Sequence, residues 1–242
     1  MLFDVFADDK ILVIEEMVFV TIKLFFEAII KFVIGIILVG VLLFVPAGTF
    51  NYIKGWIFMG VLFITVFVAG IIMMIKNPTL LKGRLYAKEK QKEQGILIKL
   101  SGLMFIGGFV VAGLDFRFSW CVLPDWITYA ASVVFILSYI MWAEVLRENT
   151  YLFRTIKVEE GQNVVDTGLY SKVRHPMYTA SIFLFLAIPL ILGSIFSFII
   201  FLIYPVIIVS RTLNEEKILE KELDGYKEYM KKVKYRFIPF IW

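Results

Sequence analysis

Arg174 and His175 stand directly before Pro176, and an apolar run follows from Tyr178 to Leu192. Proline suits the first turn of a helix, where its missing N–H leaves no hydrogen bond unmade. The spacing therefore sets a guanidinium and the chain's single histidine beside the unpaired N–H groups of a helix N-terminus. Such a place holds anions, because the helix dipole and the N–H groups both favour negative charge. A second polar group follows further on, in Arg211-Thr-Leu-Asn-Glu215-Glu216. Leu219, Leu223, Tyr226 and Met230 step by four, three and four, which makes one apolar face of a helix. Glu216 extends that face by a turn and so points inward, while Glu215 lies four residues from Arg211. An inward carboxylate at a membrane edge is costly unless it holds a cation. Taken alone, each stretch also fits a plainer reading, a snorkelling histidine or a solvated acidic face, with Tyr226 and Tyr229 as packing or interfacial residues.

The elements that must position these groups are membrane helices. The chain has 242 residues, 60% of them hydrophobic, and a mean hydropathy of +0.83. Soluble domains lie nearer half apolar, and here the excess sits in long runs. Crossing a bilayer takes about 20 apolar residues. Ala28–Val45, Trp56–Ile75, Ile96–Leu114 and Trp126–Leu146 meet that requirement as four spans. Two shorter runs, Tyr178–Leu192 and Ser194–Ser210, meet at Gly193 and read as a helical hairpin kinked at Pro189 and Pro205. Each arm would rise only roughly 22–26 Å. The expected fold is an all-α polytopic membrane protein: four spanning helices, a C-terminal helical hairpin and an amphipathic C-terminal helix. Ile11–Phe26, interrupted by Glu15, Glu16 and Lys23, reads as an interfacial helix rather than a span. Lys76–Gln94 reads as a solvated loop that meets anionic lipid. The chain divides into N-terminal membrane helices over 1–146 and a cofactor-binding region over 147–242.

Charge placement orients the layout. With the N-terminus inside, regions 1–27, 76–95, 147–177 and 211–242 hold 21 of the 25 Lys and Arg residues. The positive-inside rule then puts both termini in the cytoplasm of a multi-pass cell-membrane protein. The loop at 147–177 and the C-terminal tail share that side, and Glu144 with Arg147 makes an ion pair at its edge. A net charge of +4 is too small to imply nucleic-acid binding. One cysteine, Cys121, and one histidine, His175, exclude an intramolecular disulfide and a multi-cysteine or two-histidine metal site.

The run Gly168-x-Tyr170-x-x-Val173-Arg174-His175-Pro176-x-Tyr178 resembles the signature of the isoprenylcysteine carboxyl methyltransferase family. The tail is similar to that family as well: Arg211, Glu215-Glu216, Leu219, Tyr226, Tyr229, Val233, Arg236 and Pro239. Residues 147–242 carry the resemblance. The loop Lys76-Asn-Pro78-x-Leu80-Leu81 through Lys88-Glu89-Lys90 adds weaker support. Leu169 and Ala180 depart from the pattern, which usually has Pro and Gly there. The resemblance implies a pocket for S-adenosylmethionine between the hairpin and the C-terminal helix, without a nucleotide-binding sheet; no G-x-G-x-x-G occurs in the chain. It implies cofactor contact by Tyr170, His175, Tyr178, Glu215 and Glu216, with Arg174 and Arg211 at the reacting end. His175 would hold the methionine carboxylate and Glu216 the ammonium. The partner would be a lipophilic substrate drawn from the bilayer, with no metal. Three alternatives stay open: a phospholipid N-methyltransferase, an NADPH-dependent sterol-type reductase, and a non-enzymatic membrane protein. Reductases of that kind share the Arg-His-Pro stretch but usually follow it with Asn, where this chain has Met177.

Overall fold

The computed structural model describes residues 2–86, 92–149 and 161–242, with side chains over 22–86, 95–149 and 161–242. Residues 150–160 of the expected inner loop, and Lys88-Glu89-Lys90, lie outside the described residues. All regular structure among the described residues is helical: α1 (Leu2–Ala47), α2 (Ile53–Lys76), α3 (Pro78–Tyr86), α4 (Lys92–Phe118), α5 (Asp125–Glu148), α6 (Pro176–Ile191), α7 (Ile195–Phe201), α8 (Ile203–Glu222) and α9 (Tyr226–Lys232). Five stretches are long and apolar enough to cross a membrane: Ile22–Ala47, Ile53–Lys76, Gly95–Phe118, Asp125–Glu148 and Ile195–Glu222. α6 is shorter. Their outer faces carry exposed Ile34, Ile37, Ile64, Phe67, Leu103, Leu137 and Ile140. Water would not tolerate so continuous an apolar surface, whereas lipid matches it. The protein is a multi-pass membrane protein.

The four expected spans fall within α1, α2, α4 and α5. The N-terminal expectation differs in one respect: α1 is a single unbroken helix from Leu2. Its 46 residues rise about 69 Å, more than twice the roughly 30 Å of bilayer hydrocarbon. Of that length, Ile22–Ala47 is the part apolar enough to cross a membrane. The described start of the segment expected as a solvated loop, Pro78–Tyr86, is helical, with Leu80 and Leu81 buried.

Aromatic side chains fill the bundle. Phe105, Phe109, Phe185 and Phe201 pack together from α4, α6 and α7, with Phe105 edge-on to both Phe185 and Phe201. At the end of the bundle opposite the polar cluster, Tyr52 stacks on Phe116 and donates to Leu192 O at 2.6 Å. Buried Asp115 accepts from Ser194 Oγ and Cys121 N and so ties the α6–α7 turn to α4. Helix α4 approaches α1 closely at Gly113, where a Cβ would stand 2.5 Å from the Leu43 carbonyl. Gly107 on the same helix faces open space. Gly113→Ala is therefore expected to cost about 1–3 kcal/mol by forcing the two backbones apart. Melting in detergent should show a lower Tm for it and an unchanged Tm for Gly107→Ala.

The hairpin breaks where Pro205 demands it. Proline cannot donate to the carbonyl four residues back, and its ring crowds that group; the helix interrupts at Leu202 and resumes as α8. Pro189 leaves α6 unbroken to Ile191. The tail departs from the expected single amphipathic helix. Arg211, Glu215 and Glu216 lie on α8, continuous with the second arm of the hairpin. That helix stops at Glu222, and Gly225, at φ 81°, turns the chain into α9. Leu223, Tyr226, Tyr229 and Val233 still pack together, against Val164, Leu219 and Met230. The apolar spacing marked a true cluster, folded around a left-handed turn that only glycine adopts at little cost.

Candidate active site

The segment before α6 and the tail after α9 pair side by side. Arg174 N donates to Tyr235 O and His175 N to Arg236 O, each at 2.9 Å. Thr179 Oγ1 fastens the next turn to Phe237 O at 2.8 Å. His175 occupies the cap position of α6, with Pro176 as its first helical residue. These bonds bring residues about 60 positions apart against the inner part of α8.

Glu216 is the hub. Its side chain is 6% exposed, and that of Arg174 5%. Arg174 Nε donates to Glu216 Oε1 at 2.7 Å, while its Nη1 donates to Val233 O and Lys234 O at 2.8 Å each. His175 Nε2 lies 3.2 Å from the same carboxylate oxygen. Arg236 Nε donates to Oε2 at 2.8 Å, and its guanidinium lies 4.6 Å from the Trp242 ring centroid. One buried carboxylate thus organises three basic side chains from two separate stretches, and the charge it brings inside is matched.

A second chain of hydrogen bonds runs beside the first. Arg211 Nε donates to Tyr178 Oη at 2.9 Å, and Tyr178 Oη in turn donates to Glu215 Oε2. The Tyr178 ring stacks with His175, centroids 5.7 Å apart, so the two groups share a wall. Tyr178 and Arg211 also line a cavity of about 500 Å³ between α4, α6 and α8, whose other walls include Phe105, Phe185, Ile207 and Trp142. Tyr170, in the turn Gly168–Ser171, stands behind these groups: its hydroxyl accepts from Asn149 Nδ2 at 3.2 Å, and its carbonyl accepts from Tyr229 Oη at 2.8 Å. The expected pair Glu144–Arg147 is present, with Arg147 Nε donating at 2.8 Å.

All seven residues singled out from the sequence gather at one end of the bundle. Arg174, His175 and Glu216 form one network; Arg211, Tyr178 and Glu215 form the other; Tyr170 is bonded to Tyr229 and Asn149. Two neighbours escaped that reading. Arg236 belonged to the tail pattern but was given no role. Tyr226 does pack, with Leu223, Tyr229 and Val233, but its hydroxyl is buried without a hydrogen-bond partner among the described residues, which its place in an apolar stripe does not signal. Burial pushes the Tyr226 phenol well above its ordinary range, and the charges of Glu216 and then Glu215 push it further. Burial also raises Tyr170 and Tyr229.

A pH dependence follows from these raised phenols. Above about pH 10 an unfolded tyrosine loses its proton, while these three keep theirs in the folded protein. The unfolded state then binds fewer protons, so stability falls as pH rises through that value. Tm measured from pH 9 to 11.5 should decline, and Tyr226→Phe should decline less steeply.

The chain is similar to known membrane proteins. Residues 126–224 match the family described as phospholipid methyltransferase. The chain is 30% identical over 91 residues to the Delta(14)-sterol reductase TM7SF2 of Mus musculus, an alignment covering 36% of this chain and 22% of that protein. The chain thus matches only about a fifth of that curated relative. Its fold matches the solved structure of the eukaryotic intramembrane Ras methyltransferase ICMT, isoprenylcysteine carboxyl methyltransferase, with a TM-score of 0.54 at 18% identity, over 84% of this chain and 74% of that one.

Proposed function

We infer that the chain is a membrane methyltransferase, a reading supported by the family match over residues 126–224 and by the fold it shares with an isoprenylcysteine carboxyl methyltransferase. We propose that the protein transfers a methyl group from S-adenosylmethionine to a carboxylate or other nucleophile on a lipophilic substrate, at the cytoplasmic side of the membrane. The observation that carries this reading is the junction of two environments at Tyr178: a buried polar network on one side and a largely apolar cavity on the other.

The residues fit such a donor. Tyr226 brings an unpartnered buried hydroxyl to the network, a place where a ligand's polar atom is wanted. His175 at the start of α6 suits the methionine carboxylate. Glu216 already holds Arg174, His175 and Arg236. The half-buried Glu215 is therefore the better partner for the ammonium, with Glu216 fixing the shape of the pocket. When bound, the donor supplies an electrophilic methyl group on a sulfonium. Arg211, joined to Tyr178, would hold the acceptor anion in line with it, and Arg174 would fix the floor beneath. A carboxylate acceptor is ionised near pH 7, so no general base is required. Alignment can contribute on the order of 7–11 kcal/mol, and exchange of the acceptor's water shell for fixed partners adds to it. Membranes containing the protein, incubated with methyl-tritiated S-adenosylmethionine, should pass label into an organic extract; label confined to the aqueous phase would count against the reading.

A second reading is kept because the curated relative is a sterol reductase. In it the same basic cluster would hold the phosphates of NADPH. Met177, where those enzymes usually carry Asn, disfavours it.

A further inference from the structure

A second cavity, of about 490 Å³, lies at the end of the bundle opposite the polar cluster. Its size is within the range of small-molecule sites. The first turns of α2 and α5, the last turns of α4 and the α6–α7 turn form its walls. None of its described lining residues belongs to the networks around Glu216 and Tyr178.

The charges in that wall are matched within the protein. Lys54 Nζ donates to Leu123 O at 2.6 Å and lies 3.0 Å from Asp125 Oδ1. Asp115 accepts from Cys121 N at 2.9 Å and from Ser194 Oγ. Thr128, also in the wall, is different. It is 1% exposed, and its hydroxyl has no hydrogen-bond partner among the described residues. A hydroxyl inside a helix can bond the carbonyl four residues back. Thr65, Ser101, Ser132 and Ser138 do so here, at 2.7–2.9 Å. Thr128 forgoes that bond. A hydroxyl buried without a partner at the wall of a cavity calls for a ligand's polar atom.

Ile53, Ile57, Phe116, Leu123 and Leu192 make the rest of the lining suit a hydrocarbon chain. A charged head would have to break the Lys54–Asp125 pair or stay unpaired inside, and both are costly. A hydroxyl head carries no such penalty and supplies the bond that Thr128 lacks.

We propose that this cavity binds a neutral, hydroxyl-headed lipid, with its head on Thr128 and its chain along Ile57, Phe116 and Leu123. The site is separate from the polar cluster and independent of the chemistry done there.

The test uses the full chain in lipid nanodiscs and dodecanol carrying a mid-chain diazirine, with crosslinks mapped by mass spectrometry. Dodecanoic acid, dodecylamine and dodecane with the same diazirine serve as comparisons. At equal content in the bilayer, the alcohol should label the peptides lining the cavity about fivefold more than each of the other three. Thr128→Val, similar in shape but without the hydroxyl, should abolish that preference, and Thr128→Ser should keep it. Thr128→Val should also melt no lower than the parent, because it removes a hydroxyl that bonds nothing in the protein. Absent or equal labelling of the cavity by the four probes, or stronger labelling by the acid or the amine, would overturn the proposal. A preference for the alcohol that survives Thr128→Val would overturn it as well. So would a lower Tm in that variant, by giving the hydroxyl a structural partner.

Discussion

Glu216→Gln should lose measurable S-adenosylmethionine binding and much of its stability. The carboxylate holds Arg174, His175 and Arg236 at 2.7, 3.2 and 2.8 Å in a site nearly closed to solvent. An amide there leaves the buried Arg174 and the partly exposed Arg236 without that counter-charge. Removing one partner from a buried charge cluster costs about 3–5 kcal/mol. The pairing of residues 174–175 with 235–236 depends on the same hub, so the tail should loosen with it. The expected results are a marked fall in Tm and at least a hundredfold loss of donor affinity. Arg236→Lys is the milder companion: it keeps the charge, loses the planar fork, and should lower donor affinity while the protein remains folded. Full donor affinity in both variants would show that the hub does not shape the donor pocket.

Arg211→Ala should separate binding from turnover. Arg211 donates to Tyr178 and lines the cavity between α4, α6 and α8, whereas the groups that Glu216 holds are Arg174, His175 and Arg236. Donor affinity should therefore stay within about twofold of the parent, while turnover falls by about 10², the loss expected when a positioned reactant drifts by about an ångström. Single-turnover methyl transfer to an extract of membrane lipids reads the difference. Equal losses in affinity and rate would place Arg211 in the donor pocket instead.

How far the sequence led depends on the range of the interactions. Spans in α1, α2, α4 and α5 were legible because hydropathy acts over neighbouring residues, and the break at Leu202 because Pro205 acts on its own turn. The convergence of Arg174, His175, Tyr178, Arg211, Glu215 and Glu216 was legible only through a family pattern, because spacing alone gives no distance between stretches about 40 residues apart. What stayed hidden depended on the tail's return. Arg236 reaches Glu216 because the chain turns at Gly225 and runs back beside Arg174, which no helical periodicity encodes. Tyr226 was hidden for a related reason: its ring fits the apolar stripe, and only the folded arrangement leaves its hydroxyl facing charge. Pro78–Tyr86 sat in a segment that reads as basic and solvated until Leu80, Leu81 and Lys31 fix it to the bundle.

Calorimetric titration of the purified protein with S-adenosylmethionine, run in parallel with NADPH, decides which cofactor the basic cluster holds. Micromolar binding of S-adenosylmethionine is expected, weakened by His175→Ala and lost in Glu216→Gln, with no heat from NADPH. Binding of NADPH with no response to S-adenosylmethionine would contradict it and make the basic cluster a site for a reductase.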